Sequence, residues 1–211
     1  MVEVDVRDAI AAERTELAAL LGGLQAQQWD AQTLCAGWRP REVVAHMTMP
    51  FRLSRRQFAT GMLAARGNFN RMADRYARRD AAALSPGQLV SSLAGNAAHP
   101  WKPPGGGFQG ALSHDVIHGL DITVGLGLDR RVPHQRLCIV LEGVTPRQVK
   151  YFGTDLHGVQ LRATDLDWSY GAGTPLTGAA QDLLLVLCGR KLPPGRLSGE
   201  PSHRFTAVGP R

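Results

Sequence analysis

The chain has 211 residues, of which 44% are hydrophobic and 20% charged. That balance excludes a disordered chain, and the length allows one large domain or a helical domain with a small partner. The formal charge of +6 gathers in arginines between Arg52 and Arg79, but aromatic residues make up only 6% and do not interleave with basic ones, so an anionic small molecule is favoured over nucleic acid as partner.

No run approaches the roughly 18 apolar residues of a membrane span. The start, Met1-Val2-Glu3-Val4-Asp5, lacks the basic flank and apolar run of a secretory signal. Cys35, Cys138 and Cys188 are odd in number and form no CxxC pair. They support neither a zinc ribbon nor a disulfide framework, and read as buried free thiols in a reducing cytoplasm.

Asp5 is placed to cap a first helix, with Asp8 near its positive end. Ile10, Leu17, Leu20, Leu21 and Leu24 form its apolar stripe, and Gly22-Gly23 weakens its last turn. A linker rich in Gln and Ala leads to Cys35-Ala36-Gly37-Trp38. A second helix starts at Pro40, carries Glu42 in its first turn and runs through Val43, Val44 and His46. Pro50 should kink or end it, and helix resumes through Phe58 and Met62. Ser85-Pro86-Gly87-Gln88 is a capping box opening a helix through Leu89, Val90 and Leu93. Pro100 to Gly107 is a loop by composition. Helix then spans about Phe108 to Leu126, and Pro133 introduces another through Leu137 to Leu141.

After about residue 150 the period changes. Val159, Leu161 and Ala163 alternate with Gln160 and Arg162, as in a strand. Trp168 to Pro175 reads as turn, Thr177 as the cap of a helix through Leu187 stopped by Gly189, and Phe205 and Val208 as a last short strand. The pattern predicts a mainly α protein: a helical bundle over residues 1–148, then a small α+β domain over 149–211.

The segment Ser113-His114-Asp115-Val116-Ile117-His118-Gly119-Leu120-Asp121 carries the chemistry. His114 and His118 lie one helical turn apart on one face and can hold one metal together, with Asp121 following on that face. Two inward imidazoles must be satisfied, and a metal satisfies both. His46 lies in the apolar stretch Val43-Val44-Ala45-His46-Met47, and alone would be read as a core histidine hydrogen-bonded to backbone. With His114 and His118 it completes a three-histidine metal site with an open fourth position. His99, His134, His157 and His203 read as surface residues.

Cys35-Ala36-Gly37-Trp38-Arg39-Pro40-Arg41-Glu42-Val43-Val44-Ala45-His46 resembles the first metal-ligand segment of the mycothiol-dependent maleylpyruvate isomerase family, within the DinB-like superfamily of metal-binding four-helix bundles. His118-Gly119-Leu120-Asp121 resembles its later ligand segment. Residues 163–171, with Leu176-Thr177-Gly178 through Leu185 and the pair Gly189-Arg190, are similar to its small C-terminal domain. The resemblance implies a DinB-like bundle with one divalent metal, commonly zinc, with nickel or iron as alternatives. It also implies mycothiol as cosubstrate. His114 departs from it, because the isomerases carry glutamate there; metal binding survives the change, while the specific isomerase activity is put in doubt.

A coordinating thiol is deprotonated by the metal, and thiolate is the nucleophile. Addition to an activated alkene, bond rotation and loss of the thiol make an isomerase; retention of the adduct makes an S-transferase. Arg190, at the resembling Gly-Arg pair, is the candidate catalytic arginine, and Arg75 a candidate for binding thiol or substrate. Trp38 either packs as core or touches ligand. Asp121 either supports a ligand histidine or lies at the bundle rim. The rival readings are a metal hydrolase with Asp115 or Asp121 as base, and a non-catalytic protein binding a small ligand or nucleic acid. A cytoplasmic monomer or homodimer fits each reading.

Overall fold

The computed structural model describes residues 5–208. The chain divides into two compact units after Ile122.

The first unit is helical. α1 (Val6–Gly22) is capped by Asp5, whose carboxylate accepts from the Arg7 N–H at 2.8 Å. Ile10, Leu17 and Leu21 are buried along it, while Leu20 and Leu24 are partly covered. The Gln-rich linker contains a short 3-10 turn, Ala26–Asp30, that buries Trp29. α2 (Pro40–Arg52), α3 (Arg55–Ala64), α4 (Phe69–Ala83), α5 (Pro86–Ala94) and α6 (Gly107–Gly125) follow. α1 packs on α5, α5 on α2, α2 on α4 and α4 on α3. α6 is tied to α1 by Arg14–Asp115 and to α2 by His46 and His114. Thus α1, α2, α5 and α6 make a four-helix bundle, with α4 and then α3 appended to α2.

Of the two effects expected of Pro50, a kink or an end, it does not end α2 at once. It cannot donate to the preceding turn, but the helix runs on to Arg52. Arg52 binds that last stretch of helix: its Nη2 donates to the Ala45 carbonyl at 2.7 Å, and its Nη1 pairs with Asp80 of α4.

The second unit holds α7 (His134–Glu142), α8 (Pro146–Phe152), β1 (Val159–Ala163), β2 (Ser169–Gly171), β3 (Thr174–Gly178), α9 (Ala180–Leu187) and β4 (Leu197–Ser198). The sheet order is β2-β1-β3-β4, with β1 and β3 parallel and the other pairs antiparallel. All eight residues of α9 are buried, and it packs on α7, β1 and β3. α7 thus belongs with α9 in this unit. The turn between β2 and β3 needs Gly173: its φ is 133°, and a Cβ there would lie 2.2 Å from the Gly158 carbonyl group.

Three local expectations change here. Thr177 lies within β3 and caps nothing; the α9 N-terminus is capped from afar by Asp165, which accepts from the Ala180 N–H at 2.7 Å. Part of the expected 168–175 turn is strand β2. Phe205 and Val208 form no strand: a 3-10 turn, Glu200–Arg204, precedes a single bridge between Leu192 and Thr206.

Candidate metal centre

Two segments meet α6 to make the site. In the first, Gly37 at φ 74° lets the chain fold back so that the Thr33 hydroxyl donates to the Trp38 carbonyl at 2.8 Å. The Leu34 N–H donates to the Asp121 carbonyl at 3.0 Å, and the Cys35 thiol donates to the Asp121 carboxylate at 2.9 Å. The Cys-Ala-Gly-Trp loop is thereby fixed to α6. The second is α2 itself, started by Pro40 and by Glu42, whose carboxylate accepts from the Arg39 N–H at 2.8 Å. Burial pushes the Glu42 carboxyl upward, but hydrogen bonds from the Arg39 side chain and backbone prevail and hold it below its ordinary value. Two turns on, α2 presents His46.

His46, His114 and His118 come together, with one ligand nitrogen from each within 4.8 Å of the others. Their ring centroids are 4.8–5.1 Å apart, and Nε2 of His46 and Nε2 of His114 face each other at 3.2 Å. Both outward nitrogens on α6 meet carboxylates: His114 Nδ1 lies 3.0 Å from Asp115 Oδ1, and His118 Nδ1 lies 3.1 Å from Asp121 Oδ2. This carboxylate–histidine arrangement fixes the tautomer and ring orientation of a metal-ligating imidazole. His46 is 9% exposed and its Nδ1 has no hydrogen-bond partner. Burial, reinforced by the charges His118 and His114 would carry, depresses its pKa well below the usual histidine value, so the ring stays neutral. With Nε2 of His46 and of His114 face to face, and with Nδ1 of His114 and of His118 held outward by carboxylates, the three residues fit a divalent ion.

Around the triad, Trp38 stands 5.2 Å from His46, and Trp101 stands 5.2 Å from His114. Trp38 is half-buried rather than core, and its Nε1 donates to Asp74 of α4 at 2.8 Å. Asp121 is fully buried, so it does not lie at a rim. Arg75 is exposed on α4. Arg190 belongs to the second unit, where it lines a cavity of about 290 Å³ with Thr154, Lys191 and Arg204 and donates to the Cys188 carbonyl at 3.1 Å. Cys35 and Cys188 are buried free thiols, whereas Cys138 is exposed because its position on α7 faces away from the buried Leu137 and Leu141. His134, His157 and His203 are exposed; His99 is partly buried against Phe51.

Arg14, Cys35 and Trp101 also belong to the surroundings of the triad, though no sequence motif marks them as such. Arg14 had a signal: it stands on the apolar stripe of α1, between Ile10 and Leu17, where a charge requires a buried partner.

Fold and site together define a helical bundle with a three-histidine centre. Residues 10–99 match the family model of the mycothiol maleylpyruvate isomerase N-terminal domain. The crystal structure of the mycothiol-dependent maleylpyruvate isomerase is similar in fold, with a TM-score of 0.51 over 99% of both chains at 15% identity. The similarity read from the sequence is therefore present both in the N-terminal profile and in the fold of the chain. A search of curated proteins gave no match.

Proposed function

We propose that the protein is a metal- and thiol-dependent enzyme acting on a small electrophile, as an isomerase or an S-transferase, with mycothiol as the thiol. The observation that carries the reading is the triad His46, His114 and His118, its α6 members each held from outside by a buried carboxylate. A divalent ion there, zinc first and nickel or iron as alternatives, would favour the deprotonated form of a bound thiol. The chain's own contribution is to orient three imidazoles and to leave a fourth direction for sulfur. The similarity of residues 10–99 to the mycothiol maleylpyruvate isomerase N-terminal domain supports mycothiol as the thiol. Trp38 offers that direction an aromatic wall. Arg190 and Arg75 are the arginines proposed for carboxylate or polar groups, Arg190 as the catalytic one. No helix among the described residues can cross a membrane, and we read the protein as a cytoplasmic monomer or homodimer.

The hydrolase alternative needs a carboxylate base facing the open position. Asp115 and Asp121 instead meet the outward Nδ1 atoms and are taken up there by Arg14 and Cys35, which weighs against that reading. The test is cobalt-substituted protein titrated with mycothiol. A sulfur-to-cobalt charge-transfer band should appear and be absent in His118→Ala. No band at saturating thiol, with intact cobalt binding, overturns the thiol reading.

A further inference from the structure

Arg14 is fully buried, which is costly for a guanidinium unless its donors are used. Its Nε donates to Asp115 Oδ2 at 2.6 Å, and the other oxygen of that carboxylate faces His114 Nδ1 at 3.0 Å. Its Nη1 is shared among the carbonyls of Asn96, Ala97 and His99 at 3.2, 3.3 and 3.0 Å. His99 in turn accepts the Trp101 N–H through its Nδ1 at 3.1 Å, and the Trp101 ring rests against His114. The guanidinium also lies 5.1 Å from the Phe51 ring of α2. One side chain thus touches both supports of His114: the carboxylate on its outer nitrogen and the turn leading to the indole beside its ring.

We propose that Arg14 is a positioning residue for the metal centre, fixing the tautomer of His114 through Asp115 and the place of Trp101 through the 96–99 turn. The inference rests on the proposed metal reading for its purpose but not for its geometry. Asp115 is held in place because the guanidinium grips one of its oxygens, and the other oxygen, facing His114 Nδ1, accepts the proton there and leaves Nε2 bare toward His46. The turn is held because a planar guanidinium can reach several carbonyls while still serving the carboxylate, which an ammonium cannot do.

The two tasks separate by substitution. In metal-free protein in mildly alkaline buffer, nitrogen NMR should show His114 as the Nδ1–H tautomer, and amide exchange should show a protected Trp101 N–H. Asp115→Asn should lose the single tautomer. Arg14→Met should lose it too and also speed Trp101 exchange, whereas Arg14→Lys should keep the tautomer but speed exchange. Cobalt affinity should fall about 10- to 100-fold in Asp115→Asn and Arg14→Met, and less in Arg14→Lys. If Arg14→Met does not fold, the other two variants decide. Folded variants with wild-type tautomer and cobalt affinity overturn the proposal, as does Arg14→Lys losing the tautomer as completely as Arg14→Met. If the wild-type protein takes up no cobalt, the metal reading fails, while the tautomer and exchange data still judge Arg14.

Discussion

α6 and α9 both run through the interior of their units, and they carry opposite chemistry. α9 is apolar over its last five residues, Leu183 to Leu187, and its polar members Gln181 and Asp182 sit in its first turn. Those two are spent on structure: Gln181 bridges Val132 and Arg130, and Asp182 pairs with Arg196 at 2.7 Å. α6 instead carries His114, Asp115, His118 and Asp121 mid-helix, with Leu112, Val116 and Leu120 packed beside them. A polar group at a buried helix end can be explained by capping and ion pairs. A polar group in the buried middle of a helix requires another reason, and for α6 the proposed reason is the metal centre.

The contrast breaks first on metal content. Purified or zinc-reconstituted protein should hold about one divalent ion per chain, and His46→Ala should remove most of it, as read by elemental analysis. Protein that remains metal-free after exposure to zinc, nickel and iron would end the metal reading of α6.

Exchanging the two chemistries sharpens it. Leu184→Ala in α9 should cost about 2–5 kcal/mol in denaturant unfolding and leave metal stoichiometry unchanged. His118→Leu should do the reverse, abolishing metal binding while shifting metal-free stability by much less. Equal stability losses in both would mean that α6 is only a core helix.

Acid should act on the histidine cluster, through His46 of α2. Burial holds the folded-state pKa of His46 well below its unfolded value, so the folded ring stays neutral where the unfolded one takes a proton. The unfolded state then binds more protons, and stability falls as pH drops below about 6.5, by up to about 1.4 kcal/mol per pH unit from this group. Metal-free His46→Leu should show a shallower slope, measured by melts across that range. The smallest effect belongs to the α9 terminus: Asp165→Ala should cost about 1 kcal/mol by removing the carboxylate that accepts from Ala180.

Legibility followed locality. The grouping of His46, His114 and His118 could be read because each stands on an apolar helical face, and the elements with caps of their own, α1 and α5, start where the capping residues place them. The α9 cap could not be read. Thr177 satisfies the local rule, but the β1–β3 pairing claims it, and the true cap lies 15 residues upstream. The same holds for the site's supports: Asp121 was visible, but whether it lay at a rim or against His118 depended on a loop that arrives from Leu34 and Cys35. Helical period alone likewise does not say that α7 packs on α9.

The docking of α6 also sets an order of events in biosynthesis. The pairs that close the site span 68 residues from His46 to His114, 86 from Cys35 to Asp121 and 101 from Arg14 to Asp115, and α6 supplies the later member of each. Contacts so distant in sequence form slowly, and none of them can exist while α6 is still within the ribosome. The emerging α1–α5 segment therefore waits with Arg14 lacking Asp115 and His46 lacking His114, and closure of the site is a post-emergence step.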